Sequence, residues 1–294
     1  MKKNQKKFLF LIISVIIIII YNILTNENIN ESYSQNTNSV STNLNVYFID
    51  VGQADSILIT NNNHNMLIDA GNNEDGPKLV SYLKNLGITN FDYVVGTHPH
   101  EDHIGGLDDI INNFQIENIL LPEAYTTTKT FEDVLNAIEK NNLSITVPTI
   151  GETYQLGQAD LEVIYTGTDN KDLNNSSIVL KMTFGKFNYL FTGDATSQTE
   201  KKIINNNIDV DVLKVGHHGS AYSTTEEFLA KVTPTYAIIS VGKDNNYGHP
   251  ATSTINRIKK YTNNIYMTSE LGTIILTSDG KNINITNEKT DTNG

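Results

Sequence analysis

The chain contains no cysteine. That absence removes disulfides, thiolate nucleophiles and every zinc site built on Cys, so any bound metal must be held by histidine and carboxylate. It suits an extracellular protein without placing the chain there. Basic residues are also scarce: 21 Lys and Arg against 33 Asp and Glu give a formal net charge of −12. Four lysines fall within the first seven residues, leaving 17 basic against 33 acidic and a balance near −16 for the remainder. That is a poor footprint for gripping a polyanion, and a nucleic acid would have to be drawn in locally by bound cations. Gly and Pro are not enriched and nothing repeats, which argues for a globular rather than a disordered or repeat protein. The 294 residues suffice for one large domain or two small ones.

Residues 1–24, MKKNQKKFLFLIISVIIIIIYNIL, open with lysines and then run without a charge from Phe8 to Leu24. This predicts a signal anchor, or else a cleaved signal peptide, although no small-x-small cleavage pattern follows. The lysines stay cytoplasmic by the positive-inside rule, so the chain after Leu24 is expected outside the cell. Residues 25–43 are polar and aperiodic and read as a flexible linker. The folded domain is expected over 44–294.

Within it the pattern alternates between strand and helix. LNVYFID (44–50), DSILIT (55–60) and NMLIDAG (65–71) read as a strand meander, with a turn at NNNHN that leaves His64 on the surface. Helical spacing follows in GPKLVSYLKNLG, GGLDDIINNF, FEDVLNAIEKN, TSQTEKKIINN, TTEEFLAKV and TSTINRIKKY, and further strands are read between them. TIILTSDGKNINIT reads as a hairpin with a tight Asp279-Gly280 turn. Two strand groups, each interleaved with helices, predict an αββα sandwich of two mixed sheets.

Three of the chain's seven histidines fall within six residues of THPHEDHIGG: His98, His100 and His103, with Asp102 beside them. In an extended segment, residues two apart leave the backbone on one side, and Pro99 biases His98 toward that conformation. Four nitrogen and oxygen ligands after an apolar strand can serve two metal ions, one through the His pair and one through Asp102 and His103.

THPHEDHIGG resembles the HxHxDH signature of the metallo-β-lactamase superfamily. Together with FIDVGQADSILI, LIDAG, LFTGD and DVLKVGHHGS, it resembles the extracellular hydrolase domain of the ComEC family of DNA-uptake competence proteins. The resemblance implies a four-layer αββα sandwich holding two divalent ions, Zn or Mn. It implies that Asp194 bridges both ions, and by motif order it makes His249 the last ligand of metal 2. The His217–His218 pair would then face the substrate, one of them, as His218, donating a proton. The reverse, with His217 on metal 2, is equally open. Where many relatives supply a third histidine to metal 1, this chain has Asn174, Asn175 and Ser176, so that ion is expected to be weakly held. Asp69 and Asp50 are candidates to orient ligand histidines, and Gln53 and Asp55 enter by resemblance alone.

The implied reaction is hydrolysis by water activated between the ions, oriented by Asp102 and Asp194, with DNA as the substrate. The anchor would tie the domain to the membrane beside a separate DNA-uptake channel. Two alternatives stay open: hydrolysis of a lactone, thioester or β-lactam, and a tethered binding protein without activity.

Overall fold

The computed structural model describes residues 43–289. The expected membrane segment over 1–24 lies outside them, as does the expected linker except Asn43, and no described helix is long and apolar enough to cross a membrane.

The first half runs β1 (Leu44–Phe48), β2 (Ile57–Asn61), β3 (His64–Ile68), α1 (Gly76–Asn85), β4 (Asn90–Val95), α2 (Glu101–Ile104), α3 (Leu107–Asn113), β5 (Gln115–Leu120), α4 (Lys129–Lys140) and β6 (Ile145–Thr146). The second runs β7 (Thr153–Leu156), β8 (Ala159–Tyr165), β9 (Val179–Phe184), β10 (Phe187–Phe191), α5 (Ser197–Ile203), β11 (Val212–Lys214), α6 (Glu226–Val232), β12 (Tyr236–Ile239), α7 (Thr252–Ile258), β13 (Ile265–Met267) and α8 (Thr268–Leu271). The hairpin β14 (Thr273–Ser278) and β15 (Ile283–Glu288) returns to the first sheet, whose order is β15-β14-β1-β2-β3-β4-β5-β6. The second sheet has the order β13-β12-β11-β10-β9-β8-β7.

Each sheet has an antiparallel and a parallel part, and connection length decides which. Asn62 and Asn63 join β2 to β3 with φ of 53° and 66°, the left-handed pair that a two-residue hairpin turn needs. Helical crossovers instead give the parallel pairs β3–β4, β4–β5 and β11–β12. Side-chain alternation then sorts the core into layers. On β2, Ile57 and Ile59 face the second sheet while Leu58 faces the helices. Phe48 and Phe191 meet between the sheets at 6.3 Å. Leu79 and Leu83 of α1, Ile110 of α3 and Val134 of α4 cover one outer face, and Ile203, Phe228 and Ile258 of α5, α6 and α7 cover the other. The expected αββα sandwich is the observed fold.

The elements differ from the expectation in detail. His64 does not sit in the turn but opens β3, its Nδ1 2.6 Å from Asp92. β6, β7, β13 and α8, of two to four residues each, are too short to show a period. The helix expected over GGLDDIINNF is α3, which begins after Gly105 and Gly106, and a further one-turn helix, α2, precedes the two glycines. A Cβ on Gly105 would lie 2.3 Å from the backbone of Asn72 and Asn73, and one on Gly106 2.5 Å from Ala70 O. The pair lets the chain pass against the segment after β3 and sets His103 of α2 beside it.

Gly105→Ala should therefore lower the free energy of unfolding by about 1–3 kcal/mol and shift α2. Thermal unfolding checks this, and a variant as stable as the parent would contradict the close approach.

Candidate metal centre

Parallel strands bring their carboxyl ends to one edge of a sheet, where α/β folds collect ligands. Asp69 follows β3, His98 and His100 follow β4, Asp194 follows β10, and His217 and His218 follow β11. These strand ends from the two sheets meet at one edge of the sandwich.

The histidine network reads outward from Asp69. Its Oδ1 accepts the Thr97 backbone N–H at 2.7 Å, and its Oδ2 accepts the Thr97 hydroxyl and His103 Nδ1, both at 2.8 Å. With the Thr97 hydroxyl donating to Asp69, its lone pair can accept from His98 Nδ1 at 3.1 Å. His218 Nδ1 donates to Ser240 O at 3.0 Å. Each of these three rings thus spends Nδ1–H on the protein, which leaves an Nε2 lone pair for a ligand.

Those nitrogens converge. His103 Nε2 lies 3.3 Å from Asp194 and 3.7 Å from Asp102, and His218 Nε2 lies 3.6 Å and 3.3 Å from the same two carboxylates. The four ligand atoms of Asp102, His103, Asp194 and His218 fall within 4.8 Å of one another. His103 Nε2, His218 Nε2 and Asp194 Oδ1 are buried without a hydrogen-bond partner. Buried polar atoms normally find partners, so this donor set fits a divalent cation. Beside it, His98 Nε2 and His100 Nδ1 approach to 3.0 Å.

The structure gathers His98, His100, Asp102, His103, Asp194 and His218 closely and sets His217 and His249 at the rim. His218, expected to donate a proton to the substrate, stands in the four-residue group because its Nδ1 is tied to Ser240 and its Nε2 faces the carboxylates. His217, expected on a metal, has Nε2 3.6 Å from Asp194 but is one-quarter exposed and outside that group. His249, also expected on a metal, packs its ring 5.4 Å from His217 and 5.8 Å from Tyr247. Of the residues at the missing-histidine position, Asn174 lines the cavity with a buried, unpartnered Oδ1. Asn175 is instead held by Thr196, Thr199 and Asp172. Gln53 lines the cavity while accepting from Gly242 N, and Asp50 accepts from Gly52 N beside the neighbouring groove.

Sequence reasoning missed Lys214. Its side chain is fully buried, ion-paired with Asp55, 3.0 Å from Gly193 O and 3.9 Å from Asp194. The signal was a lone charge inside the apolar strand DVLKVG. Burial would strip its proton, but Asp55 and Asp194 outweigh that and hold its pKa above the ordinary lysine value. His217 and His218 also adopt left-handed backbone, φ 50° and 51°, a strained pair of non-glycine residues that the surroundings must hold in place.

The metal centre opens into a cavity of about 280 Å³, next to a groove of about 970 Å³ that shares Gln53, Glu101, Asp102 and Tyr247 with it.

Comparison with known proteins agrees with this geometry. The chain belongs to the metallo-β-lactamase superfamily, whose family model matches residues 49–243. Among curated relatives, it is 32% identical over 250 residues to ComE operon protein 3 of Bacillus subtilis (strain 168), covering 78% of this chain and 32% of that protein. It is 28% identical to Recombination protein 2 of Haemophilus influenzae, covering 77% and 28%, and 30% identical to Competence protein ComA of Neisseria gonorrhoeae, covering 72% and 29%. These are ComEC-like competence proteins, as the sequence motifs imply, and the chain spans about a third of their length. Among solved structures, the metallo-β-lactamase fold protein YhfI from Bacillus subtilis aligns with a TM-score of 0.56 at 11% identity, covering 80% of this chain and all of that one. The diiron β-hydroxylase CmlA from Streptomyces venezuelae aligns at 0.51 and 15%, covering 76% and 52%. These two show the fold.

The protonation balance makes a testable pattern. Burial would lower the pKa of His103 and of His218, but Asp194 and the neighbouring carboxylates outweigh it and raise both above 6.5. Burial, with neighbouring imidazoles, lowers His98 and His217, and takes His249 down to about 4. The raised pair stabilises the metal-free fold fully below the ordinary histidine pKa and loses that as pH rises through the folded values. The depressed three cost stability as pH falls below the ordinary value, where the unfolded chain takes up protons that the folded chain refuses. The melting temperature in chelator should therefore peak near pH 6.5. Metal affinity should rise with pH, because binding expels the protons of His103 and His218. A chelated protein whose melting temperature climbs steadily to pH 9 would contradict this balance.

Proposed function

We propose that the chain is a metal-dependent phosphodiesterase that cuts DNA outside the cell. The observation that carries it is the convergence of Asp102, His103, Asp194 and His218, with the inward atoms of His103, Asp194 and His218 unpartnered, beside a cavity that continues into a groove. That geometry supports metal-dependent hydrolysis, and the similarity to competence and recombination proteins supports DNA as the substrate. Two divalent ions fit, Zn or Mn. The four-residue group would hold one of them, and His98 and His100, without a third histidine, would hold the other more weakly. Bound cations supply Lewis-acid polarisation of the phosphate and lower the pKa of water.

The chain's own residues do the rest. Asp194 lies 3.3 Å from His103 Nε2 and 3.6 Å from His218 Nε2 and orients that group. Asp102, with one third of its side chain exposed, orients the attacking water from the cavity side. His217 and His249 are held below the ordinary histidine pKa by burial. They are therefore neutral at pH 7 and act as N–H donors to the oxygens that gain charge, not as cationic acids. The segment over 1–24 would hold the domain outside the membrane beside a separate channel protein.

A second reading follows from the groove's charge. Glu74, Glu101 and Glu288 line it, which favours an uncharged carbonyl substrate such as a lactone, thioester or β-lactam.

The test uses the full chain in mild detergent with Mn²⁺ or Zn²⁺, assayed on labelled single- and double-stranded DNA, a lactone and a chromogenic lactam. Wild type should cut DNA, and Asp194→Asn should lower the rate by roughly a hundredfold or more. His217→Ala should slow cutting without reducing bound metal. Intact DNA with consumption of a carbonyl substrate would overturn the phosphodiester reading in favour of the second.

A further inference from the structure

The loop between β12 and α7 presents an aromatic ring that the hydrolytic chemistry leaves unused. Tyr247 is 74% exposed, yet its surroundings are ordered. One face of the ring lies against His249, with centroids 5.8 Å apart and planes inclined by 24°. Tyr247 lines both the cavity over the carboxylates and the adjoining groove. Asn245 braces the loop: its Nδ2 donates to Gly242 O at 2.8 Å and His249 O at 2.6 Å, and its Oδ1 accepts from Tyr247 N at 3.2 Å and His249 N at 3.0 Å. Those four bonds use the whole capacity of one amide, so the ring is held out from a fixed loop.

The groove tells what such a face would meet. Asp50, Glu74, Glu101 and Glu288 line it against Lys78 and Lys289, so a run of phosphates gains little from charge there. Affinity for a nucleic acid must come from contacts that ignore the phosphates. An aromatic face supplies one, since every nucleobase has a π-face, and alanine at a stacking position costs roughly ten- to a hundredfold in affinity.

We propose that Tyr247 is a stacking platform on which the nucleobase next to the scissile phosphodiester lies, backed by His249. This rests on the phosphodiester reading and adds a selection to it. Bases inside a duplex are covered by their neighbours, so the platform takes single strands or frayed ends, and it takes them with little regard to base identity.

The chain has no tryptophan, so Tyr247→Trp installs a lone fluorescent reporter. In the metal-loaded full chain, a phosphorothioate single-stranded oligonucleotide should quench it, and a fully abasic strand of the same length should not. On cleavable single-stranded DNA, Tyr247→Ala should lower kcat/KM about tenfold, chiefly through KM, while Tyr247→Phe keeps the parent value. One abasic site beside the scissile bond should cost the parent the same factor and cost Tyr247→Ala nothing more, the non-additivity expected of two partners in one contact. An unchanged KM in Tyr247→Ala, or losses that simply multiply, would overturn the proposal. If the parent cuts no DNA, the phosphodiester reading fails by itself and the quenching arm decides: quenching by single strands keeps the platform as a binding surface, and its absence ends it.

Discussion

The structure depends on balancing negative charge where water is excluded. Asp55, Asp69 and Asp194 are each 1% exposed and crowd around His103, which is itself buried. Such a cluster survives only if every carboxylate has a partner, because an unpaired buried charge costs about 3–5 kcal/mol when its partner is removed. Lys214 answers Asp55, the Thr97 and His103 donors answer Asp69, and His103 and His218 answer Asp194. This pairing balances the charge yet leaves Oδ1 of Asp194 and Nε2 of both histidines buried without a hydrogen bond. The inward side of the network is shaped for a cation, and its outward side is satisfied by protein.

The fold's layers serve that balance. Two sheets with apolar faces together make a dry edge, and the parallel halves deliver Asp69, His98, Asp194 and His218 to it from four different strands. The turn after β11 accepts left-handed backbone at His217 and His218, which sends one ring into the carboxylates and the other toward the cavity. Left-handed backbone also occurs at Asp69 beside the site and at Thr224 and Thr233, while the β2–β3 hairpin uses Asn62 and Asn63 for it. The centre is thus rigid on the protein side and open on the groove side, the arrangement a hydrolase needs if its substrate enters along a surface.

The fold was legible because strand and helix periods are long in this chain, and the apolar alternation of LNVYF and SILIT shows through directly. The lost elements were those with no room for a period, such as β6, α8 and the single turn of α2, which ends where Gly105 and Gly106 pass close to the backbone after β3. For the site, THPHEDH identified four residues that come together. What sequence order could not decide was which of two adjacent histidines turns inward, since that depends on left-handed backbone at both and on a carbonyl from β12's end, Ser240 O, that receives His218 Nδ1. Lys214 was hidden for the opposite reason: a lysine in an apolar strand usually snorkels outward, and only the packed structure shows Asp55 waiting inside.

The most direct test of the account is anomalous diffraction from crystals loaded with Mn²⁺ or Zn²⁺. A strong peak should appear among Asp102, His103, Asp194 and His218, and a weaker one beside His98 and His100. A loaded crystal with no peak at the four-residue group, or with the stronger peak on the His98 side, would contradict it.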